Sequence, residues 1–200
     1  MMKQWLTATA CAAMIAVPGG AALAQMTPGA NTAAQPAAAS GYDAAVKQAN
    51  ANYKAANERC KALSSNAKDI CEAEAKRDRD VAKAEAEASR DGTPKAHAKV
   101  QKEKADGDYK VAKERCDDKK GNEKDVCVKE AKAAHEQALG AAKVTKEKGS
   151  GSSAEVAETR REVNKDVSDA RYKADKEKCD AMSGDAKDKC MSDVKARYNK

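Results

Sequence analysis

YKAANERCKALSSNAKDIC, residues 53–71, returns as YKVAKERCDDKKGNEKDVC at 109–127 and as YKADKEKCDAMSGDAKDKC at 172–190. Each copy opens on a tyrosine (Tyr53, Tyr109, Tyr172), reaches a cysteine seven residues later and a second cysteine eleven beyond the first. The pairs are Cys60 and Cys71, Cys116 and Cys127, and Cys179 and Cys190. One supersecondary unit has been copied three times.

The middle of each copy carries helix-breaking signals. Gly121 and Gly184, with Ser65 in the first copy, stand where a helix would end in the left-handed conformation that glycine adopts most easily. The residues that follow, Asn66, Asn122 and Asp185, are good N-caps, and three further on Asp69, Asp125 and Asp188 offer a short-armed capping box. Each copy therefore reads as helix, tight turn, helix. Both cysteines stand at a similar depth below the turn, so a disulfide within the copy would clamp two antiparallel helices; closing a loop of this size stabilises by about 3 kcal/mol in the chain-entropy model. Two cysteines eleven apart on one unbroken helix would also share a face and could pair across to another helix, which stays open as the alternative. On the incoming helix, Tyr53, Ala56, Cys60 and Leu63 recur at intervals of three and four, so each tyrosine shares a face with its cysteine and is expected to cover the helix seam. The counterparts of Leu63 are Lys119 and Met182.

The rest of the chain explains why a staple is needed. MMKQWLTATACAAMIAVPGGAALAQ opens with Lys3, an apolar run and the small-x-small site Ala22-Leu23-Ala24, the pattern of a cleaved secretory signal over residues 1–24. The apolar run is shorter than the roughly 20 residues of a membrane-spanning helix. No integral span is expected after cleavage. Cleavage would remove the only Trp and Cys11, leaving six cysteines, all inside the copies; an even count in an exported chain is the arithmetic of a disulfide framework. Beyond the signal only Leu63, Leu139 and Ile70 are large aliphatics other than valine and methionine, and Phe is absent. An alanine-dominated chain of this length cannot build an ordinary close-packed core.

Residues 25–42 are dominated by Ala, Pro, Gly, Thr and Gln and read as a disordered leader. From Asp43 onward nearly every residue favours helix, supported by acid-first pairs such as Glu72 with Lys76 and Asp125 with Lys129. Asp91-Gly92-Thr93-Pro94 gives a helix stop, an N-cap and a first-turn proline. Gly149-Ser150-Gly151-Ser152-Ser153 reads as a flexible linker, after which Ser152 and Glu155 can form a capping box. Gly107 would loosen the helix before the second copy. The expected fold is all-α: hairpin 1 over 43–92, hairpin 2 over 93–148, a linker at 149–153 and hairpin 3 over 154–200. That makes about six helices, elongated or loosely bundled.

Reactive chemistry is not indicated. His97 and His135 sit alone among Ala, Lys and Glu and read as solvated residues, and no nucleophile elbow, zinc-protease, phosphate-loop or dinucleotide motif occurs. We expect no enzyme, no cofactor and no catalytic or metal residue. Reduced cysteines with Met182 and Met191 could bind a soft metal such as Cu(I), a minor alternative in an oxidising compartment. The formal charge of +6 comes from interleaved acids and bases, which argues against nucleic acid, and leaves weak contact with anionic envelope surfaces.

The repeated YKxAxERC, then GNxKDxC and a following Glu130-Ala131-Lys132, resembles small exported proteins of Gram-negative bacteria, often labelled TolA-like or cell-envelope biogenesis proteins. The resemblance implies a periplasmic helical protein with an unidentified protein partner in the envelope, acting as scaffold, spacer or interaction module. The Ala/Lys/Glu/Asp periodicity also resembles late-embryogenesis-type stress protectants, the alternative function.

Overall fold

A computed structural model describes residues 34–200, with side chains from residue 41 onward. The expected signal peptide and residues 25–33 of the expected leader lie outside the described residues. Six helices follow one another: α1 (Ala34–Cys60), α2 (Ser65–Asp91), α3 (Pro94–Cys116), α4 (Gly121–Ser150), α5 (Ser153–Cys179) and α6 (Gly184–Tyr198). No strand occurs among the described residues. The fold is all-α, built from three disulfide-tipped hairpins.

Each helix packs against its neighbours in sequence and against no other helix among the described residues. Odd-numbered helices run toward a cysteine turn and even-numbered helices run away from one. All three cysteine turns therefore lie along one edge of a serpentine array, and the two intervening turns lie along the other. The seams are lined with alanine, including Ala49, Ala75, Ala84, Ala105, Ala133 and Ala174, with Val111 and Val194 among the few larger buried aliphatics. Cys60, Cys116 and Cys179 are fully buried. Where an ordinary core would place Leu or Phe, this one places a sulfur.

Two expected breaks are continuous helix. Residues 34–42, assigned to the disordered leader, belong to α1, because alanine dominates the stretch and Pro36 falls in the first turn, where its missing N–H costs nothing. Gly149 and Ser150 of the expected linker belong to α4, leaving only Gly151 and Ser152 between α4 and α5. Hairpin 3 is therefore not set apart: α5 packs along α4 as α3 packs along α2. Ser152 and Glu155 do form the reciprocal capping box. At the other inter-copy turn Gly92 caps α2 at φ 61°, Thr93 accepts from the Ala96 N–H at 3.1 Å, and Pro94 opens α3.

The three cysteine turns are copies in geometry as well as in sequence. Leu63, Lys119 and Met182 each donate a backbone N–H to the carbonyl of the first cysteine of their copy, at 3.0 Å in every case. Ser65, Gly121 and Gly184 then turn the chain at φ 51°, 52° and 56°. Ser65 is the strained member, since a Cβ in this region costs about 1 kcal/mol. Nothing stands within 4 Å of a Cβ built on Gly121 or Gly184, so only backbone preference separates the three. Ser65→Gly is expected to stabilise by about 0.5–1 kcal/mol, and Gly121→Ala or Gly184→Ala to destabilise by about 1 kcal/mol. Urea midpoints of the three variants would show opposite signs.

Candidate functional site

The copied unit is a double clasp. The disulfides close within each copy, Cys60 to Cys71, Cys116 to Cys127 and Cys179 to Cys190, with Cα separations of 5.5, 5.6 and 5.7 Å. This resolves the pairing left open by spacing alone. A soft-metal site would need free thiols, and all six of these sulfurs are bonded in pairs.

Two turns below each disulfide the tyrosine meets a partner on the outgoing helix. The Arg79 guanidinium lies over the Tyr53 ring at 4.4 Å. His135 stacks on Tyr109 with ring centroids 4.6 Å apart and planes 13° from parallel. Tyr198 meets Tyr172 edge-on at 5.8 Å. Three chemistries occupy one geometric position, each favourable against an aromatic face. The tyrosines thus cover the seam as expected, but the partners escaped the sequence reading. Arg79, His135 and Tyr198 all stand 26 residues after their tyrosine, and that fixed interval was the available signal. His135, expected to be solvated, is half-buried, because stacking covers its face and Asp106 Oδ1 takes its Nε2 at 2.7 Å. His97 is exposed.

The cap assignments require correction. The residues preceding α2, α4 and α6 are Ser64, Lys120 and Ser183, and none supplies a side-chain cap. Asn66 and Asn122 lie in the first turn and reach out of their own hairpin. Asn66 Nδ2 donates to the Glu114 carbonyl at 2.7 Å, and Asn122 Nδ2 to the Glu177 carbonyl at 3.0 Å. Each acceptor is a last-turn carbonyl of the next incoming helix that also takes the backbone N–H of its own C-cap, Asp117 to Glu114 and Asp180 to Glu177, so the Asn amide uses the second lone pair. Neither is an N-cap, because α2 and α4 begin one residue earlier, at Ser65 and Gly121. Asp185 holds this position in the third copy and is exposed. Asp69, Asp125 and Asp188 are exposed one turn into their helices.

The same junctions carry a matched ion pair. Arg115, just before Cys116, meets Glu74 at 2.5 Å, and Lys178, just before Cys179, meets Glu130 at 2.8 Å. Exposed pairs of this kind contribute little energy singly. Their recurrence with the Asn links fixes the register between hairpins. Cysteine turns are thereby joined side by side along one edge.

Two partly buried carboxylates mark the lower clasp. Asp106 is held below its ordinary value of 3.8: burial alone would raise it, and hydrogen bonds from Lys102 and His135 outweigh burial. Asp175 is lowered in the same way, burial being outweighed by hydrogen bonds from Tyr198, Lys178 and Arg197. Carboxylates lowered on folding contribute stability that is complete above the unfolded value and lost as pH falls through the folded one. Unfolding free energy is therefore expected to be flat near neutrality with respect to these groups and to decline below pH 3.8. An acid titration followed by helical circular dichroism would check this, and the acid slope should be shallower in Asp106→Asn.

No family model, no curated protein and no solved structure matches the chain. Among the described residues no group of three or more His, Cys, Asp or Glu is arranged to hold a metal, and no helix is long and apolar enough to cross a membrane.

Proposed function

We propose that the chain is a non-enzymatic helical scaffold or spacer of the bacterial cell envelope, exported to the periplasm and engaging a protein partner there. The observation that carries this reading is the row of disulfide-tipped turns linked side by side by Asn66 and Asn122. Six cysteines committed to structural disulfides fit an oxidising compartment. Staples, seam tyrosines and cross-hairpin links all serve to hold a polar helical array in one shape. A fixed shape is what a spacer or interaction module requires.

The chain resembles the TolA-like envelope proteins in its YKxAxERC segments at 53–60 and 109–116 and its GNxKDxC segment at 121–127, and the periplasmic assignment rests on the secretory pattern of residues 1–24. Crosslinking in the periplasm of cells expressing the full chain should recover one specific envelope protein with the disulfide-intact form. Recovery should drop when all six cysteines are serine. Recovery of nothing above background would overturn the proposal.

The stress-protectant alternative is favoured by one observation: among the described residues no charged side chain is buried, so their interleaved acids and bases all meet solvent to some degree. It predicts that protection of a labile enzyme on drying survives the all-serine replacement. Protection that disappears with the disulfides would exclude it.

A further inference from the structure

On the edge opposite the disulfides, α3 forms the floor of a groove walled by the end of α2 and the second half of α4, with a volume of about 510 Å³. That is within the range of about 300–1,000 Å³ typical of small-ligand sites. The apolar lining is Ala96, Ala98, Ala142 and Leu139. Leu139 is one of only two leucines after residue 24, and it is incompletely buried. In a chain this poor in large aliphatics, one left facing a groove is chemistry that the seams did not absorb.

The rim is cationic. Lys95, Lys99, Lys102, Lys143 and Lys146 line the groove against two carboxylates, Glu87 and Asp91. Both carboxylates are engaged, Glu87 by Lys99 and Asp91 by Arg90. Lys102 pairs with Asp106 and Lys146 with Glu147. Lys95 and Lys143 have no carboxylate within 4.0 Å among the described residues. The first turn of α3 contains no acid, so Lys95 adds to the positive end of the helix dipole where an acid would ordinarily offset it. Two ammonium groups without a carboxylate partner and an incompletely buried leucine lie in one recess, over a floor of alanines packed into the seams.

We propose that this groove binds a single-chain anionic amphiphile, a medium- to long-chain carboxylate. Its head group sits between the ammonium groups of Lys95 and Lys143, and its chain lies over Ala98 and Ala142 against Leu139. A simple polyanion would leave the exposed part of Leu139 in water. A bilayer would need protruding apolar side chains, whereas these are recessed below a lysine rim. The match is to one acid group with one apolar tail, and it does not depend on where the protein works or on its protein partner.

The test is a nuclear magnetic resonance titration of the full chain, disulfides intact, with dodecanoate below its micelle concentration. Saturable shifts are expected at Leu139, Ala98 and Ala142, and not at the cysteine turns. Acetate, which has the charge without the tail, and dodecanol, which has the tail without the charge, should each bind at least about tenfold more weakly. Lys143→Gln, an exposed-rim change that leaves the seams intact, should weaken dodecanoate about tenfold, and Lys95→Gln with Lys143→Gln further. Equal binding of dodecanol, equal binding by the double variant, or shifts spread over all six helices would overturn the proposal. So would binding to anionic phospholipid vesicles with no response to dodecanoate.

Discussion

Replacing Cys116 and Cys127 together with alanine is expected to destabilise the protein by about 3 kcal/mol, and reduction of all three disulfides to leave it largely unfolded at 37 °C. Each bridge spans eleven residues in sequence, and closing a loop of that size removes about 3 kcal/mol of unfolded-chain entropy in the simplest model. Stability of a domain is typically only about 5–15 kcal/mol, so three such bridges are of the same order as the whole. The packing they lock is mostly alanine against alanine, which has little buried area to offer in their place. The effect should also depend on position. Helices that touch only their sequence neighbours have stability that is roughly a sum of nearest-neighbour terms. Loss of Cys179–Cys190 should release α6, a 15-residue helix that packs against α5 alone among the described residues, while α1 to α5 stay folded. Loss of Cys116–Cys127 should instead open the array in its middle. Urea denaturation by circular dichroism, with hydrogen exchange to locate the released helices, would separate the two cases. Equal, global loss for both pairs would contradict the nearest-neighbour account.

Much of this architecture could be read from residues alone because the copies are so regular. The tyrosine, the cysteine interval and the left-handed turn at Ser65, Gly121 and Gly184 are local features, and local features repeat visibly. What escaped was non-local. The hairpin partners Arg79, His135 and Tyr198 share a spacing but no chemistry, so a search for conserved residue type passes over them. Asn66 and Asn122 have the identity of N-caps, and only the adjacent hairpin reveals that they serve a neighbour's carbonyls. The Gly/Ser stretch at 149–153 misled for a related reason: composition marks it as a tether, but Gly149 is where Pro94 of α3 comes against α4, and a Cβ there would strike the proline ring. First cysteines of successive copies are separated by 56 and then 63 residues, both multiples of seven. The second interval therefore adds two helical turns without rotating the seam, and the lateral links survive. The groove on α3 shows no such regularity, because it is made where three helices meet and belongs to only one copy.

Glycine to alanine within these helices should change sign with position, with a loss of stability at Gly107 and a gain at Gly41. In an isolated helix the substitution stabilises by about 1 kcal/mol, and Gly41, with nothing within 4 Å of a built Cβ, should behave so. At Gly107 the added methyl would stand 2.8 Å from Arg77 Cβ and 3.2 Å from Arg77 Cα, and closer still to Cγ. Those atoms cannot swing away as the end of a side chain could; α2 and α3 must separate. Overpacking of this kind costs about 1–3 kcal/mol, and it also disturbs the Arg77 pairing with Asp108. Gly107→Ala is therefore expected to destabilise by about 1 kcal/mol net of helix propensity, against a gain of up to about 1 kcal/mol at Gly41. Gly107 is thus a point of close approach and not the loosened helix its residue type implies. Paired urea melts of the two variants would decide it: a gain at Gly107 as well would mean that α2 and α3 do not approach as closely as their alanine and glycine seam allows.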